Sequence, residues 1–449
     1  MSWNSADETR PTTGRCLVLH PFLKLSASDR SGNGGALRDP QGRLEEVTRL
    51  AEAIELEIHH AEIVTINRPK PASLLGGGTV ERLEGYIAHH EIEVVVMDAA
   101  LTPVQQRNLE QAWKAKVIDR TGLILEIFGA RARTKEGTLQ VELAALSYQR
   151  SRLVRSWTHL ERQRGGFGFM GGPGERQIEA DRRLIDERIT SLKRQLKDVR
   201  RTRQLHRKAR QRVPYPVVAL VGYTNAGKST LFNSLSNADV ASEDQLFATL
   251  DPTMRSLKLP SGREVILSDT VGFVSDLPLE LIESFSATLE EVQEADLLLH
   301  IRDISHIDAA AQKEDVELVL KNLGVSEASE LTTVASVPLI EVLNKSDLLS
   351  LEELDIQTTR ANRRNDQMVL VSAITGDGFA KLLKTVDDRL TARRQEVTLK
   401  VSWVEGGVLA WLYERGEVIE RHDKEEWVEL KVRLEPEDIA KYEQNKIML

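Results

Sequence analysis

Gly222-Tyr223-Thr224-Asn225-Ala226-Gly227-Lys228-Ser229-Thr230 is the stretch on which the reading of this chain turns. Two glycines with four residues between them are followed by a lysine and a hydroxyl residue. The apolar run Val217-Val-Ala-Leu-Val221 before it reads as a buried strand, and Leu231-Phe-Asn-Ser-Leu235 after it opens an apolar helical spacing. In a strand, glycine loop and helix, backbone N–H groups wrap a phosphate chain at the helix N-terminus, where the dipole favours negative charge. Lys228 would reach the β- and γ-phosphates, and the Ser229 hydroxyl would face a magnesium ion.

The motifs downstream narrow the ligand. The loop Asp244-Gln-Leu-Phe-Ala-Thr-Leu-Asp-Pro-Thr253 carries two threonines. A nucleotide switch needs one threonine hydroxyl to complete the magnesium shell when a γ-phosphate is present. Within Phe247, Ala248, Thr249, Leu250 and Asp251, Thr249 is the expected ligand, with Thr253 the alternative. The strand Glu264-Val-Ile-Leu-Ser268 runs into Asp269, Thr270, Val271 and Gly272. Asp269 can hold magnesium directly or through water, and the Gly272 N–H can approach a γ-phosphate because no side chain intervenes.

Two further strands, over residues 296–301 and 338–343, precede Asn344-Lys345-Ser346-Asp347. A carboxylate there accepts hydrogen bonds from N1–H and the exocyclic amine of guanine, whereas adenine offers no donors in that pattern and would leave Asp347, expected to be buried, unpaired at a cost. The strand Met368-Val-Leu-Val371 leads to Ser372, Ala373 and Ile374, whose backbone can contact the base. The four ordered motifs predict a GTP-binding domain. Where Ras-like enzymes place a water-orienting glutamine after Asp-x-x-Gly, this chain has Phe273, which predicts slow intrinsic hydrolysis and leaves the catalytic group unassigned. Asn225 reads as a structural loop residue, with a monovalent-cation ligand as the alternative.

At 449 residues the chain is expected to hold about two to four domains. With 29% charged and 41% apolar residues it is of ordinary globular composition. A net charge of -9 excludes a protein that coats nucleic acid along its whole length but allows a local basic patch. Cys16 is the only cysteine, so no intrachain disulfide forms. No apolar run reaches membrane-spanning length, and residues 1–15 lack the apolar centre of a secretion signal. A cytoplasmic protein without a membrane span is expected.

Residues 16–135 alternate apolar runs (Cys16-Leu-Val-Leu-His20, Ile63-Val-Thr-Ile66, Val94-Val-Val-Met97, Lys116-Val-Ile-Asp119) with helical spacings, and predict a small parallel α/β domain. Residues 26–41 read as a loop. Gly76-Gly-Gly78 reads as a turn, with an anion site the weaker alternative, and His59-His60 and His89-His90 as surface pairs without metal-ligand spacing.

Residues 136–212 predict an antiparallel helical hairpin, with seams at Leu139, Leu143, Leu146, Leu153, Trp157 and Leu160 and at Ile185, Ile189, Leu192, Leu196 and Val199. Between them, Gly165-Gly-Phe-Gly-Phe-Met-Gly-Gly-Pro-Gly174 reads as a non-helical tip. Residues 151–212 hold 18 Lys and Arg against 7 Asp and Glu, an excess that favours a structured RNA backbone as partner over a merely solvated face. Pro214 and Pro216 form a stiff joint to the GTPase domain, residues 213–395. Residues 396–449 alternate like strands around one short helix and predict a small α/β C-terminal domain. No second active site, such as a methyl-donor or redox motif, is evident.

The chain resembles the HflX family of ribosome-associated, translation-factor-class GTPases. The resemblance spans roughly residues 16–395 and rests on more than the GTPase motifs: Gln105-Gln-Arg-Asn-Leu-Glu110, Asp119-Arg-Thr-Gly-Leu-Ile-Leu125, Leu139-Gln-Val-Glu-Leu143, and above all Gly172-Pro-Gly-Glu175 leading into Glu179-Ala-Asp-Arg-Arg183. Arg176 and Ile178 stand where the family usually has Thr and Leu. The resemblance implies a monomeric GTP hydrolase that binds the large ribosomal subunit and its rRNA and splits stalled ribosomes under stress. Its hairpin would enter near the peptidyl-transferase region. It also implies magnesium ligands at Ser229 and Thr249, with Asp269 behind them, and guanine contacts at Asn344, Lys345 and Asp347. A ribosome-assembly or RNA-modification GTPase is the alternative.

Overall fold

The structure, a computed structural model, describes residues 14–24, 38–132, 134–163, 173–210, 215–236, 253–275, 291–325, 337–364, 367–392, 395–434, 438–439 and 442. Arg15–Leu23 (β1) has five consecutive buried residues, as expected of a strand covered on both faces. It pairs in parallel with Glu57–Ile66 (β2) and Val94–Met97 (β3), and β3 pairs with Lys116–Asp119 (β4), giving the order β2-β1-β3-β4. The intervening helices are Pro40–Glu52 (α1), Gly77–His90 (α2) and Pro103–Trp113 (α3). Asp39 caps α1 by accepting from the Gly42 N–H, and Thr102 with Gln105 forms a capping box on α3. Arg120–Arg131 (α4) directly follows β4 and is buried nearly all round, so it lacks the amphipathic spacing that announces a helix.

The histidine pairs lie at the surface, His59 and His60 on strand β2 and His89 and His90 at the end of α2. The fold brings the two pairs together, with the His59 and His90 ring centroids 4.6 Å apart.

Lys135–Gln163 (α5) and Pro173–Arg210 (α6) pack through Leu139, Leu143, Ile189, Leu192 and Leu196, with Leu146, Ile185 and Val199 against them, all seam residues read from the sequence; the side chains of Leu153, Trp157 and Leu160 lie outside the described residues. Residues 165–172 of the tip lie outside the described residues, as do 26–37 of the early loop, whose expected last residues Pro40 and Gln41 instead form the first turn of α1, a position that suits proline. The tip ends earlier than expected: Pro173 and Gly174 belong to the first turn of α6. Proline is suited to that position because its missing N–H would have no partner there.

The third unit is a six-stranded sheet of order β10-β9-β8-β5-β7-β6. Its strands are Val217–Gly222 (β5), Thr253–Lys258 (β6), Glu264–Asp269 (β7), Leu297–Asp303 (β8), Leu339–Asn344 (β9) and Met368–Leu370 (β10). Only β6 runs antiparallel. Lys228–Ser236 (α7), Ala309–Asn322 (α8), Leu351–Arg363 (α9) and Phe379–Ala392 (α10) are its described α-helices. Strand order reverses about β5, so the loop after β5 opens at a switch point of the sheet, where such folds bind ligands. The last unit holds Gln395–Ser402 (β11), Gly406–Arg415 (α11), Glu417–Asp423 (β12) and Trp427–Leu434 (β13), its strands forming an antiparallel sheet of order β11-β13-β12. No helix among the described residues is long and apolar enough to cross a membrane.

The first and third units share one apolar core. Val47 and Leu50 of α1 and Leu123 and Ile127 of α4 belong to the same buried cluster as Val221, Tyr223, Phe273 and Val316.

At the centre of the third sheet, His300 on β8 is almost completely buried. Burial first, then the Arg302, Lys313 and Lys228 cations, lower its pKa to about 3, with Glu341 opposing. Unfolded histidine titrates near 6.5, so below that pH the unfolded chain takes up a proton that the folded chain refuses. Stability is therefore full above pH 6.5 and falls as pH drops toward 3. From pH 7 to pH 5 this one group is expected to remove about 2 kcal/mol. His300→Gln should flatten that limb in urea denaturation, and identical slopes for both proteins would refute the assignment.

Candidate functional site

β5 delivers its last residue, Gly222, into the loop that α7 continues. The loop is stitched to the segment after β7 like one more rung of sheet. The Phe273 N–H donates to the Gly222 carbonyl at 3.1 Å, and the Thr224 N–H donates to the Phe273 carbonyl at 2.7 Å. Gly227 has φ +87°, and a Cβ there would meet Asn344 Nδ2 at 2.2 Å, so both backbone conformation and space require glycine. Asn225 has φ 58°, a left-handed conformation that asparagine tolerates better than most residues. That supplies a loop-geometry reason for asparagine here.

Lys228 is buried, and its Nζ donates to the Tyr223 carbonyl at 2.7 Å and the Gly222 carbonyl at 3.2 Å. Burial lowers its pKa to about 8, against the opposing charge of Asp269. Ser229 Oγ donates to Asp269 Oδ2 at 2.7 Å, so the two groups expected to share a magnesium ion are in direct contact. Thr270 Oγ1 donates to the Leu220 carbonyl at 2.5 Å and locks the end of β7 onto β5. Gly272 lies where the loop folds over: a Cβ on it would stand 2.9 Å from Lys228 Nζ, Thr224 Cα and Thr224 Cγ2. The Phe273 side chain is fully buried in the shared core.

The motif at the end of β9 meets this loop through Asn344. Its Nδ2 donates to the Ala226 carbonyl at 2.8 Å, and its Oδ1 accepts from the Ala373 N–H at 3.0 Å. One side chain thus fixes the phosphate loop relative to Ser372, Ala373 and Ile374. Lys345 takes φ 64° and pairs with Asp303 at 2.7 Å. Ser346 is buried. Asp347 is exposed, and its Oδ1 accepts from Ser372 Oγ at 2.6 Å. Ile374 is also exposed. The structure therefore gathers Gly222 to Thr230, Asp269 to Gly272, Asn344 to Asp347 and Ser372 to Ile374 at one edge of the sheet. Phe247 to Asp251, with Thr249, lie outside the described residues.

Sequence reading missed the residues that grip the segment beyond Gly272. The Tyr223 hydroxyl accepts from the Ser275 N–H at 2.8 Å and donates to Glu46 of α1 at 2.8 Å. Arg120, at the start of α4, donates through Nε to the Ser275 carbonyl at 3.2 Å, and through its terminal nitrogens to Ser275 Oγ, Glu46 (2.6 Å) and Asp98 (2.6 Å). Arg43 donates to Ser275 Oγ at 2.9 Å, and His20 pairs with Asp98 at 2.7 Å. Burial alone would raise the Asp98 carboxyl pKa. Arg120, His20 and Arg43 more than offset it and hold the group well below the usual carboxylate range. The only sequence sign was a charged residue directly after the apolar strand 94–97, which names no partner.

The chain matches four family models: GTP-binding GTPase N-terminal over residues 41–129, GTP-binding GTPase Middle Region over 131–210, 50S ribosome-binding GTPase over 217–345, and HflX C-terminal domain over 356–446. A GTPase HflX from Magnetococcus marinus is 51% identical over 399 residues, 88% of this chain and 89% of the relative. The GTPase HflX of Escherichia coli K12 is 42% identical over 370 residues, 82% and 83% of the two chains. Among solved structures, a GTP-binding protein from Sulfolobus solfataricus in complex with GDP aligns over 84% of this chain and 99% of its own, at 20% identity and a TM-score of 0.44.

Proposed function

From the premise that this chain belongs to the HflX family and is a GTP hydrolase on a phosphate-loop α/β fold, we propose that it binds the large ribosomal subunit as a monomer. There it would split stalled ribosomes in a GTP-dependent way under stress. The observation that carries this reading is the basic hairpin. Helices of 29 and 38 residues would reach about 44 and 57 Å at roughly 1.5 Å per residue. Their cationic excess stands against an acidic remainder, which suits a structured RNA partner. The match of residues 217–345 to a family described as 50S ribosome-binding GTPase supports the same partner.

In the proposed site the backbone of Gly222 to Thr230 wraps the phosphates, Lys228 contacts the β- and γ-phosphoryl oxygens, and the Gly272 N–H meets the γ-phosphoryl group. Asp347 reads the guanine edge while Asn344 and Lys345 hold the base pocket in shape. Ser229 and Thr249 would hold magnesium with Asp269 behind, and the Ser229–Asp269 contact fits that donor set. When bound, the ion neutralises charge on the β- and γ-phosphates. The bond from water to the γ-phosphorus forms as the bond to the bridging oxygen breaks, and positioning plus electrostatics supply the catalysis.

Sedimentation of intact ribosomes with this protein and a non-hydrolysable GTP analogue tests the proposal. Free subunits are expected. Intact ribosomes with no bound protein would sink the reading, while intact ribosomes carrying the protein would leave association and remove splitting.

A further inference from the structure

We propose that the Thr224 hydroxyl is a catalytic group of GTP hydrolysis, bonded to the attacking water and to a γ-phosphoryl oxygen. It would fill the role left vacant by a phenylalanine where Ras-like enzymes have glutamine. The inference rests on the assignment of Lys228 and Gly272 to the γ-phosphate given above.

Three observations converge on it. Thr224 is only 6% exposed, and its Oγ1 is buried without a hydrogen-bond partner among the described residues. A buried hydroxyl left unpaired costs stability, and such exceptions in a folded chain call for an explanation. Its surroundings supply one. The point 2.9 Å from Lys228 Nζ, where Gly272 has no side chain, is also 2.9 Å from Thr224 Cα and Cγ2, and the hydroxyl is borne on the same carbon as that methyl. Thr224 therefore lines the space beside the two groups assigned to the γ-phosphate with its Cα and methyl group, and the orphaned hydroxyl is one staggered rotation about Cα–Cβ from that same space.

The third observation concerns Phe273. Its side chain is sequestered in the core with Val271 and Val274, so it has no route to the phosphates. Its backbone instead fixes the Thr224 main chain through the 2.7 Å bond, which holds the threonine in place. A threonine hydroxyl is one donor and two acceptors, so it can accept from water and donate to a phosphoryl oxygen at once. The water oxygen bonds to the γ-phosphorus, the bridging oxygen leaves with the electron pair on GDP, and the water protons pass to phosphate and solvent. Thr224 is unchanged at the end. A threonine that merely fills space would lose nothing on replacement by valine, which has the same shape without the hydroxyl, whereas a hydroxyl that only shapes the loop would lose GDP affinity along with activity.

Thr224→Val should lower kcat by roughly 10- to 100-fold, the scale of one lost transition-state hydrogen bond, with GDP affinity within about threefold of the unaltered protein. It should also weaken binding of GDP with aluminium fluoride, a mimic of the reacting phosphoryl group, by at least about tenfold. Thr224→Ser should retain most of both. A Thr224→Val kcat within twofold of the unaltered protein overturns the proposal, and so does a parallel loss of GDP affinity, which marks a structural role. Gly272→Ala separates the underlying assignment. If it leaves affinity for a γ-phosphate-bearing analogue unchanged, the γ-phosphate reading itself fails. If it weakens that affinity while Thr224→Val has no effect, only the threonine role fails.

Discussion

Arg120→Met is expected to destabilise the folded chain by about 3 kcal/mol, the low end of the cost of breaking a buried ion pair by removing one partner. Arg120 is 3% exposed, and its guanidinium serves Asp98, Glu46 and both oxygens of Ser275 at once. Methionine fills comparable volume, so packing is largely kept and the loss is electrostatic. The low end applies because Asp98 keeps His20 and Arg43, and Glu46 keeps the Tyr223 hydroxyl. Arg120→Lys should lose less, since an ammonium keeps the charge, but its three N–H donors cannot match the four acceptors that the planar fork reaches. For a unit of 150–250 residues a loss of 3 kcal/mol lowers Tm by roughly 6–12 °C. Thermal denaturation of both variants at neutral pH checks this, and a Tm within 2 °C of the unaltered protein for Arg120→Met would contradict it.

Because Ser275 lies three residues beyond Gly272, the same variant should also loosen the loop over the phosphates. The Tyr223 hydroxyl, inside the phosphate loop, accepts from the Ser275 N–H and touches Glu46, so the N-terminal unit and the nucleotide site share one hydrogen-bond network. Moving Ser275 away from α1 and α4 requires breaking its bonds to Arg43 and Arg120. Any conformational change of the segment after β7 must therefore be matched by contacts of at least comparable strength elsewhere.

That network marks where sequence reading stops. The phosphate loop, Asp269 to Gly272 and Asn344 to Asp347 were legible because each encodes its chemistry locally, at the end of an apolar strand. The partners of Ser275 lie 155 residues away at Arg120 and 229 away at Glu46, a distance no local pattern bridges. β6 escaped notice for a different reason. It has no buried residue in its run of six, so no apolar alternation distinguishes it from loop. α4 is the opposite case, buried almost all round and so lacking a polar face to give its period. Thr224 was visible as a loop residue, but its orphaned hydroxyl is a property of the fold alone. Asp347 overturns the expectation of burial: it is exposed, and its carboxylate is set in place by the Ser372 hydroxyl instead.

Asp347→Asn is expected to weaken GTP binding by about 100- to 1,000-fold and to improve xanthosine triphosphate binding. In the proposed base pocket the carboxylate would accept two hydrogen bonds from guanine, and bonds to a charged acceptor contribute about 1.5–3 kcal/mol each. An amide in its place keeps one acceptor and turns a donor toward the second group, a mismatch for the guanine amine and a match for the xanthine carbonyl. The pocket should survive the change. The amide oxygen of the substituted side chain would still accept from Ser372 Oγ, and Asn344 keeps its bonds to Ala226 and Ala373. Ser372→Ala provides the comparison, because it frees the carboxylate without altering its charge, and should cost GTP affinity less than tenfold. Equilibrium titration with GTP and xanthosine triphosphate decides the matter. If Asp347→Asn binds GTP as tightly as the unaltered protein, the guanine edge is read elsewhere. If both nucleotides weaken equally, the substitution has disturbed the loop instead of the recognition. A reversal of preference between the two bases is the outcome that assigns base selection to this carboxylate, since only the hydrogen-bond polarity at one edge distinguishes them.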